Sequence, residues 1–463
     1  MAKTRKEKDF LGEREIPADV YWGVQTSRAV ENFPISGLRA HPDLVRAMAL
    51  IKKAAALENV NAERLEPEVA DAIVAAADEV IQGKHPDQFP VDVYQAGAGT
   101  SCHMNMNEVL ANRAAEMLGG KRGEYSLVHP NDHVNLGQST NDVFPTAMRL
   151  AALMLLDKLY PVLGELSDAL ADKAEEFEKI VKSGRTHLQD ATPLTLGHEF
   201  AAYAEAVRRG RTHLAESADA LRDLGIGGSA VGTGVMTHPG YRERMVDKLT
   251  ALTKLELRPA RDTFETMQSN APFAMASGAL KALALELTRI ANDLRLLSSG
   301  PTTGLGEIDL PATQPGSSIM PGKVNPVMAE ALNMVCFQVV GNDLTVSMAV
   351  QAGQMELNVM MPVISFNLLQ SIEILTHCLR VFTERCVRGI EAHADVCRDN
   401  ALRSVGLATL LRPIIGYHKA SEIAREAVRT GKSIGDLAIE KKLLTQKQVD
   451  DLISPDKLSP GSA

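Results

Sequence analysis

The apolar residues Leu280, Leu283, Leu287, Ile290, Leu294 and Leu297 follow one another at spacings of 3, 4, 3, 4 and 3, with Lys281, Glu286 and Arg289 between them. That is the period of an α-helix, and the stripe it draws is a seam by which one helix buries itself against others. In a strand the same positions would scatter onto both faces of a sheet. From Val327 to Ala352 the chain is dominated by apolar and small residues, with few polar positions, among them Glu330, Asn333 and Asn342. This predicts a helix enclosed on all sides, at the centre of a bundle or an oligomer. Helical periodicity also runs from Ala147 to Glu178 and from Leu196 to Asp223, and no set of neighbouring segments alternates with period 2. Aromatic residues make up only 4% of the chain, whereas Ala, Leu, Met and Glu, which lose least on entering a helix, recur throughout. The expected fold is all-α, built on long helices.

Gly and Pro clusters at 14–36, 97–100, 225–240, 300–326 and 454–461 mark loops rather than flexible linkers. A length of 463 residues allows about three domains of ~150 residues. Shifts in composition divide the chain into an N-terminal segment, 1–139, a central helical segment, 140–395, which holds the loop 316–326, and a short C-terminal helical segment, 396–463. In the last, TGKSIGDLAIEKKLLTQKQVDDLI reads as two short amphipathic helices joined near Leu444 and Thr445, with Thr445 as an N-cap. Its charges are mixed rather than basic, which disfavours a DNA-binding helix-turn-helix.

Lys and Arg number 49 against 58 Asp and Glu, a net charge of -9 that argues against a polyanion-binding protein. Apolar residues at 45% and charged residues at 23% are ordinary for a globular chain. The five cysteines (Cys102, Cys336, Cys378, Cys386, Cys397) are odd in number and form no CxxC pair, so neither a disulfide framework nor a zinc ribbon is indicated. The N-terminal MAKTRKEKDFLGEREIP has no apolar run after its basic residues, and no uncharged apolar stretch approaches the ~18 to 20 residues of a membrane span. The expectation is a cytoplasmic protein with neither nucleic acid nor membrane as partner.

Four segments carry chemistry. The loop GSSIMPGKVNP, 316–326, gathers Ser317, Ser318, the Lys323 ammonium and the Asn325 amide among glycines and prolines, a composition that can aim N–H groups, hydroxyls and a cation at one anion. As composition it is equally a solvent loop, and no GxGxxG or GxxxxGK[ST] points to a nucleotide phosphate. In GAGTSCHMNMNEVLAN, 97–112, a glycine-broken turn delivers Thr100 and Ser101 to a helix N-terminus, whose N–H groups suit a carboxylate or simply a cap. HPNDHVNLGQSTND, 129–142, is dense in hydrogen-bonding side chains, including Ser139, Thr140 and Asn141; His129 and His133 have i,i+4 spacing, but Pro130 and Asn131 predict a turn rather than a zinc-binding helix. GRTHLQDATPLTLGHE, 184–199, holds Thr186 and His187; a lone histidine of this kind is usually structural.

GSSIMPGKVNP resembles the signature loop of the fumarase and aspartase superfamily, GSSxMPxKxN, at every fixed position, and the other three segments resemble its remaining conserved blocks in the same order. The similarity extends from about Lys8 to about Ile453. LGEREIPADVYWG, GAGTS, STND, DLRLLSSGP and AGQMELNVM look more like the aspartases; MNMNEVLANRA, DVFPTAMRLAA and THLQDATPLTLG read much like class II fumarases. One departure concerns both: Thr302 stands where the family commonly has Arg after SGP.

The resemblance implies an all-α homotetramer with a twenty-helix core, smaller N- and C-terminal helical domains, and active sites each built from three subunits. It implies elimination of ammonia from L-aspartate to give fumarate, with elimination of water from L-malate as the alternative, and no organic cofactor or catalytic metal. Ser317 would be the general base, acting on the carbon beside the β-carboxylate. Thr100, Ser139, Thr140 and Ser318 would hold that carboxylate, with Ser101 beside them. Thr186, Lys323 and Asn325 would hold the α-carboxylate, Asn141 and His187 would lie with Thr100 near the amino group, and Glu330 would support His187 or the loop. The chemistry fits these residue types. Removing a proton beside a carboxylate creates an enediolate, so donors must meet charge where it develops, and a serine base needs loop N–H groups and the Lys323 ammonium to favour its alkoxide.

Overall fold

In the computed structural model, which describes residues 3–458, the leucine seam lies within one helix, Ala271–Leu297. All of its seam positions are at most 5% exposed, and each such burial contributes roughly 1.5–3 kcal/mol. The other periodic stretches form Thr140–Glu176 and Leu196–Ala218, the second tightening into a 3₁₀ turn at Asp219–Arg222. Val327–Gln351 is helical as the composition requires. Within one chain, however, it is not enclosed on every side. Met334, Phe337, Leu344 and Met348 are 65, 61, 64 and 56% exposed, and their spacing puts them on one helix face.

Strands are few among the described residues. Thr4–Asp9 pairs with Gly12–Pro17 and Val181–Thr186 with Gln189–Thr195, both antiparallel, and two further pairings involve two residues a side. None extends beyond two strands, so the fold is all-α.

The chain packs as two compact units, each assembled from three stretches. The first comprises the chain up to Tyr160, His213–Ala282 and Gln338–Leu375. Through it runs the helix Pro42–Asn61, where Ala47, Ala49, Ile51, Ala54 and Ala55 are fully buried; small side chains let neighbouring backbones approach from several directions. The second comprises Pro161–Thr212, Leu283–Phe337 and the chain from Thr376 onward. Its C-terminal part has a core of its own, in which Leu407, Leu411, Ile423, Leu437 and Val449 pack with Val181. The two short helices foreseen there are Ile434–Glu440 and Gln446–Leu452. Thr445 caps the second through a reciprocal box with Gln448.

All five thiols are free, and burial pushes them up, Cys102 to about 11 and Cys386 to about 12. Among the described residues no helix is long and apolar enough to cross a membrane.

Candidate active site

In the first unit, Thr100 opens the helix Thr100–Met117. Gly99 before it takes φ +81°, and a Cβ there would stand 2.3 Å from the Phe144 ring, so both backbone and space demand glycine. The turn leaves Thr100 exposed and Ser101 half-buried at the helix N-terminus.

Ser139, Thr140 and Asn141 occupy the start of Thr140–Glu176. Ser139 Oγ accepts from the Asn141 N–H at 3.2 Å while Asp142 Oδ1 accepts from the Ser139 N–H at 2.9 Å, a reciprocal cap written in the sequence as STND. The other Asp142 oxygen accepts from the N–H groups of Gly227 and Ser229, each at 3.0 Å. Burial pushes this carboxyl up to about 6 despite those three donors. Asn141 Nδ2 donates to the Ala230 carbonyl at 2.7 Å. The helix start and the 225–232 loop are thus stitched together.

His103 Nδ1 lies 2.7 Å from Thr140 Oγ1. This bond joins the first turns of two helices whose segments are remote in sequence. Both helices direct their positive ends there, an environment that favours a carboxylate.

In the second unit, Thr186 ends the strand Val181–Thr186, and His187 and Leu188 form a two-residue turn at φ +56° and +58° before Gln189–Thr195. Glycine or asparagine usually fills such a turn. Here Thr186 and His187 are exposed at its tip. Arg185 beside them grips the fully buried Glu307 with two bonds, at 2.5 and 3.0 Å, and Lys182 approaches the same carboxylate at 3.3 Å. Burial raises the Glu307 carboxyl, but Arg185 and Lys182 together bring it below its ordinary value. The hairpin is therefore anchored at its base.

The 316–326 loop closes on itself. The Gly316 N–H donates to the Lys323 carbonyl at 2.7 Å, and Asn325 Nδ2 donates to the Gly316 carbonyl at 2.7 Å. A Cβ on Gly316 would meet the Lys323 carbonyl at 2.6 Å. Inside the clasp, Ser317 Oγ accepts from the N–H groups of Ile319, at 3.2 Å, and Met320, at 2.9 Å. Donors to an oxygen favour its ionised form. Ser318 and Lys323 are exposed, and Lys323 and Asn325 line a cavity with Ser298, Gly300 and Pro301. Glu330, half-buried in the first turn of Val327–Gln351, shares no hydrogen bond with His187 among the described residues. His129 and His133 flank and enter a π-helical turn, Pro130–Val134, in which the His129 N–H donates to His133 Nδ1 at 3.0 Å.

Two residues escaped the sequence reading. Lys52 and His103 are fully buried side by side, with Lys52 Nζ 2.6 Å from His103 Nε2. The available signal was a lysine inside the apolar run ALIKKAAAL, one residue from a second, solvent-reaching lysine.

A family profile described as Lyase matches residues 12–341, and another described as Fumarase C C-terminus matches residues 407–459. The chain belongs to the fumarase and aspartase superfamily. Within it, the chain is 49% identical over 460 residues to an aspartate ammonia-lyase of a Bacillus species, covering 99% of this chain and 98% of that one. It is also 49% identical over 456 residues to a class II fumarate hydratase of Ralstonia nicotianae, covering 98% and 99%. A fumarate lyase:delta crystallin structure from Brucella melitensis matches with TM-score 0.95 and 48% identity, covering 99% of this chain and 100% of that one. The superfamily expected from the motifs and the all-α fold are both borne out.

Proposed function

We propose that this protein is an aspartate ammonia-lyase, converting L-aspartate reversibly to fumarate and ammonia. The full-length likeness to the Bacillus aspartate ammonia-lyase carries the reading, and the segments GAGTS and STND support it. In this proposal Ser317 Oγ removes a proton from the carbon beside the β-carboxylate. The electron pair moves into that carboxylate as an enediolate, then returns to form the C=C bond as the C–N bond breaks and ammonia leaves. The two N–H groups on Ser317 Oγ support its role as base, since a serine is otherwise far too weak an acid to ionise.

Thr100, Ser139, Thr140 and Ser318, with Ser101 adjacent, hold the β-carboxylate; Thr186, Lys323 and Asn325 hold the α-carboxylate; Asn141 and His187 attend the amino group with Thr100. Glu330 supports His187 or the loop. The assembly is a homotetramer whose sites draw on three subunits, and the uncovered apolar face of Val327–Gln351 supports such a core. No cofactor or catalytic metal takes part, and the enzyme works in the cytoplasm. We retain the three-part division at 139/140 and 395/396 as a proposal for the domain boundaries.

The equal identity to the Ralstonia fumarate hydratase keeps a second reading in view, hydration of fumarate to L-malate. Ultraviolet absorbance of fumarate decides between them, with purified protein given L-aspartate alone and then L-malate alone. Fumarate from L-aspartate only is the expected result; fumarate from L-malate only would make the protein a fumarase. Ser317→Ala should abolish turnover of L-aspartate while leaving circular dichroism and assembly size unchanged. Substantial residual activity would remove Ser317 from the base role.

A further inference from the structure

Lys52 is buried without a carboxylate in hydrogen-bond reach among the described residues. Its Nζ donates to Asn135 Oδ1 and Gln138 Oε1, each at 2.9 Å, and lies 2.6 Å from His103 Nε2. Burying an ammonium in this way is costly, and packing does not require it, since methionine would fill the same space in an apolar helix. The cradle is built, not accidental. Asn135 Nδ2 donates to the Gln138 carbonyl at 3.2 Å and Gln138 Nε2 to the Val134 carbonyl at 3.1 Å, which turns both amide oxygens toward Lys52. Burial pulls the pKa of the Lys52 ammonium well below its ordinary value, and buried Asp142 opposes that at longer range.

Held charged by the two amide oxygens and by Asp142, Lys52 can only donate, so the ring nitrogen facing it, His103 Nε2, carries the lone pair. The ring proton is then on Nδ1, 2.7 Å from Thr140 Oγ1. Thr140 accepts this bond, and its own O–H is left to donate elsewhere. We propose that Lys52 and His103 are positioning residues that set the hydrogen-bond polarity of Thr140, presenting its hydroxyl to the substrate as a donor. This rests on the reading of Thr140 as a holder of the β-carboxylate. That carboxylate only accepts, and it gains charge as the enediolate forms, so a hydroxyl turned the other way would oppose the charge with a lone pair. Neither Lys52 nor His103 needs to touch the substrate for this.

His103→Asn and His103→Asp separate polarity from packing, because the two side chains have the same shape. Asparagine can accept from Lys52 and donate to Thr140; aspartate can only accept from both. With L-aspartate as substrate, His103→Asn should keep kcat/KM within about threefold of wild type, while His103→Asp should lower it by about tenfold or more. In a Thr140→Val background the two variants should be equal, since no hydroxyl remains to be turned. Equal kcat/KM for the two variants with Thr140 present would overturn the inference. So would a difference that persists with Thr140→Val, which would assign the effect to the added charge. Should His103→Asp fail to fold, Lys52→Met tests the same point. It frees the ring tautomer and should cost about tenfold with Thr140 present and nothing further with Thr140→Val, whereas equal losses in both backgrounds would sink the idea. A wild-type protein that makes fumarate from neither substrate would overturn the functional reading together with the inference; failure of the variant comparison in an active enzyme overturns the inference alone.

Discussion

Glu79 accepts from Nε and Nη2 of the Arg113 guanidinium, at 2.7 and 2.8 Å, and His85 Nε2 lies 3.0 Å away. Arg113 above all holds this carboxyl down, to about 2 from an ordinary 4.5. A depressed carboxyl adds stability that is fully present above its unfolded value and is lost as pH falls through its folded one. Glu79→Gln should therefore be less stable than wild type by about 1 kcal/mol at pH 7, with the gap narrowing as pH falls below 4.5. Urea midpoints at pH 7 and pH 3 measure this, and a gap independent of pH would assign the loss to packing instead. Gly99→Ala is a steric counterpart. The Phe144 ring and the positive φ together predict a loss of about 2–4 kcal/mol, and an unchanged urea midpoint would show that the turn relaxes. Residues of both kinds differ in how far sequence exposes them. Thr100 and Ser317 advertise themselves because hydroxyls beside glycines are local events. Lys52 and His103 do not, because what matters about them is burial beside one another, and residues 52 and 103 are brought together only by the packing of two helices.

Helices with a strong period were legible at the scale of elements. The leucine seam of Ala271–Leu297 and the cap at Thr445 required only neighbours along the chain. Thr445→Ala should cost about 1 kcal/mol, observed as faster amide exchange across Gln446–Leu452. Unaltered exchange there would mean that the core of Leu437 and Val449 alone holds the helix. The hairpin 181–195 was not legible. Its strands carry no clean alternation, and its turn places His187 and Leu188 at positive φ without the glycine or asparagine that signals such a turn. What stabilises it is the grip of Arg185 and Lys182 on Glu307, a residue more than a hundred positions away.

For the whole molecule, composition foresaw an enclosed helix from Val327 to Ala352, and one chain leaves the Met334, Phe337, Leu344 and Met348 face of the observed helix Val327–Gln351 open. A periodic pattern reports that a face is apolar; it does not report whose side chains cover it. If the proposed tetramer holds, Phe337→Glu should break it into smaller species in analytical ultracentrifugation and lower activity by about tenfold or more, as the sites proposed to be shared among subunits come apart. A full-sized, active variant would mean that this face is not the core of the oligomer. The clasp between Gly316, Lys323 and Asn325 has a kinetic consequence as well. If the loop moves to bring Ser317 onto a substrate, a neck tied in this way lets it swing as one small solid, a matter of friction rather than of winding up slack. If that swing limits turnover, kcat should fall in proportion to the viscosity of added sucrose, and it should become indifferent to viscosity once Asn325 is replaced and the slower chemistry takes over.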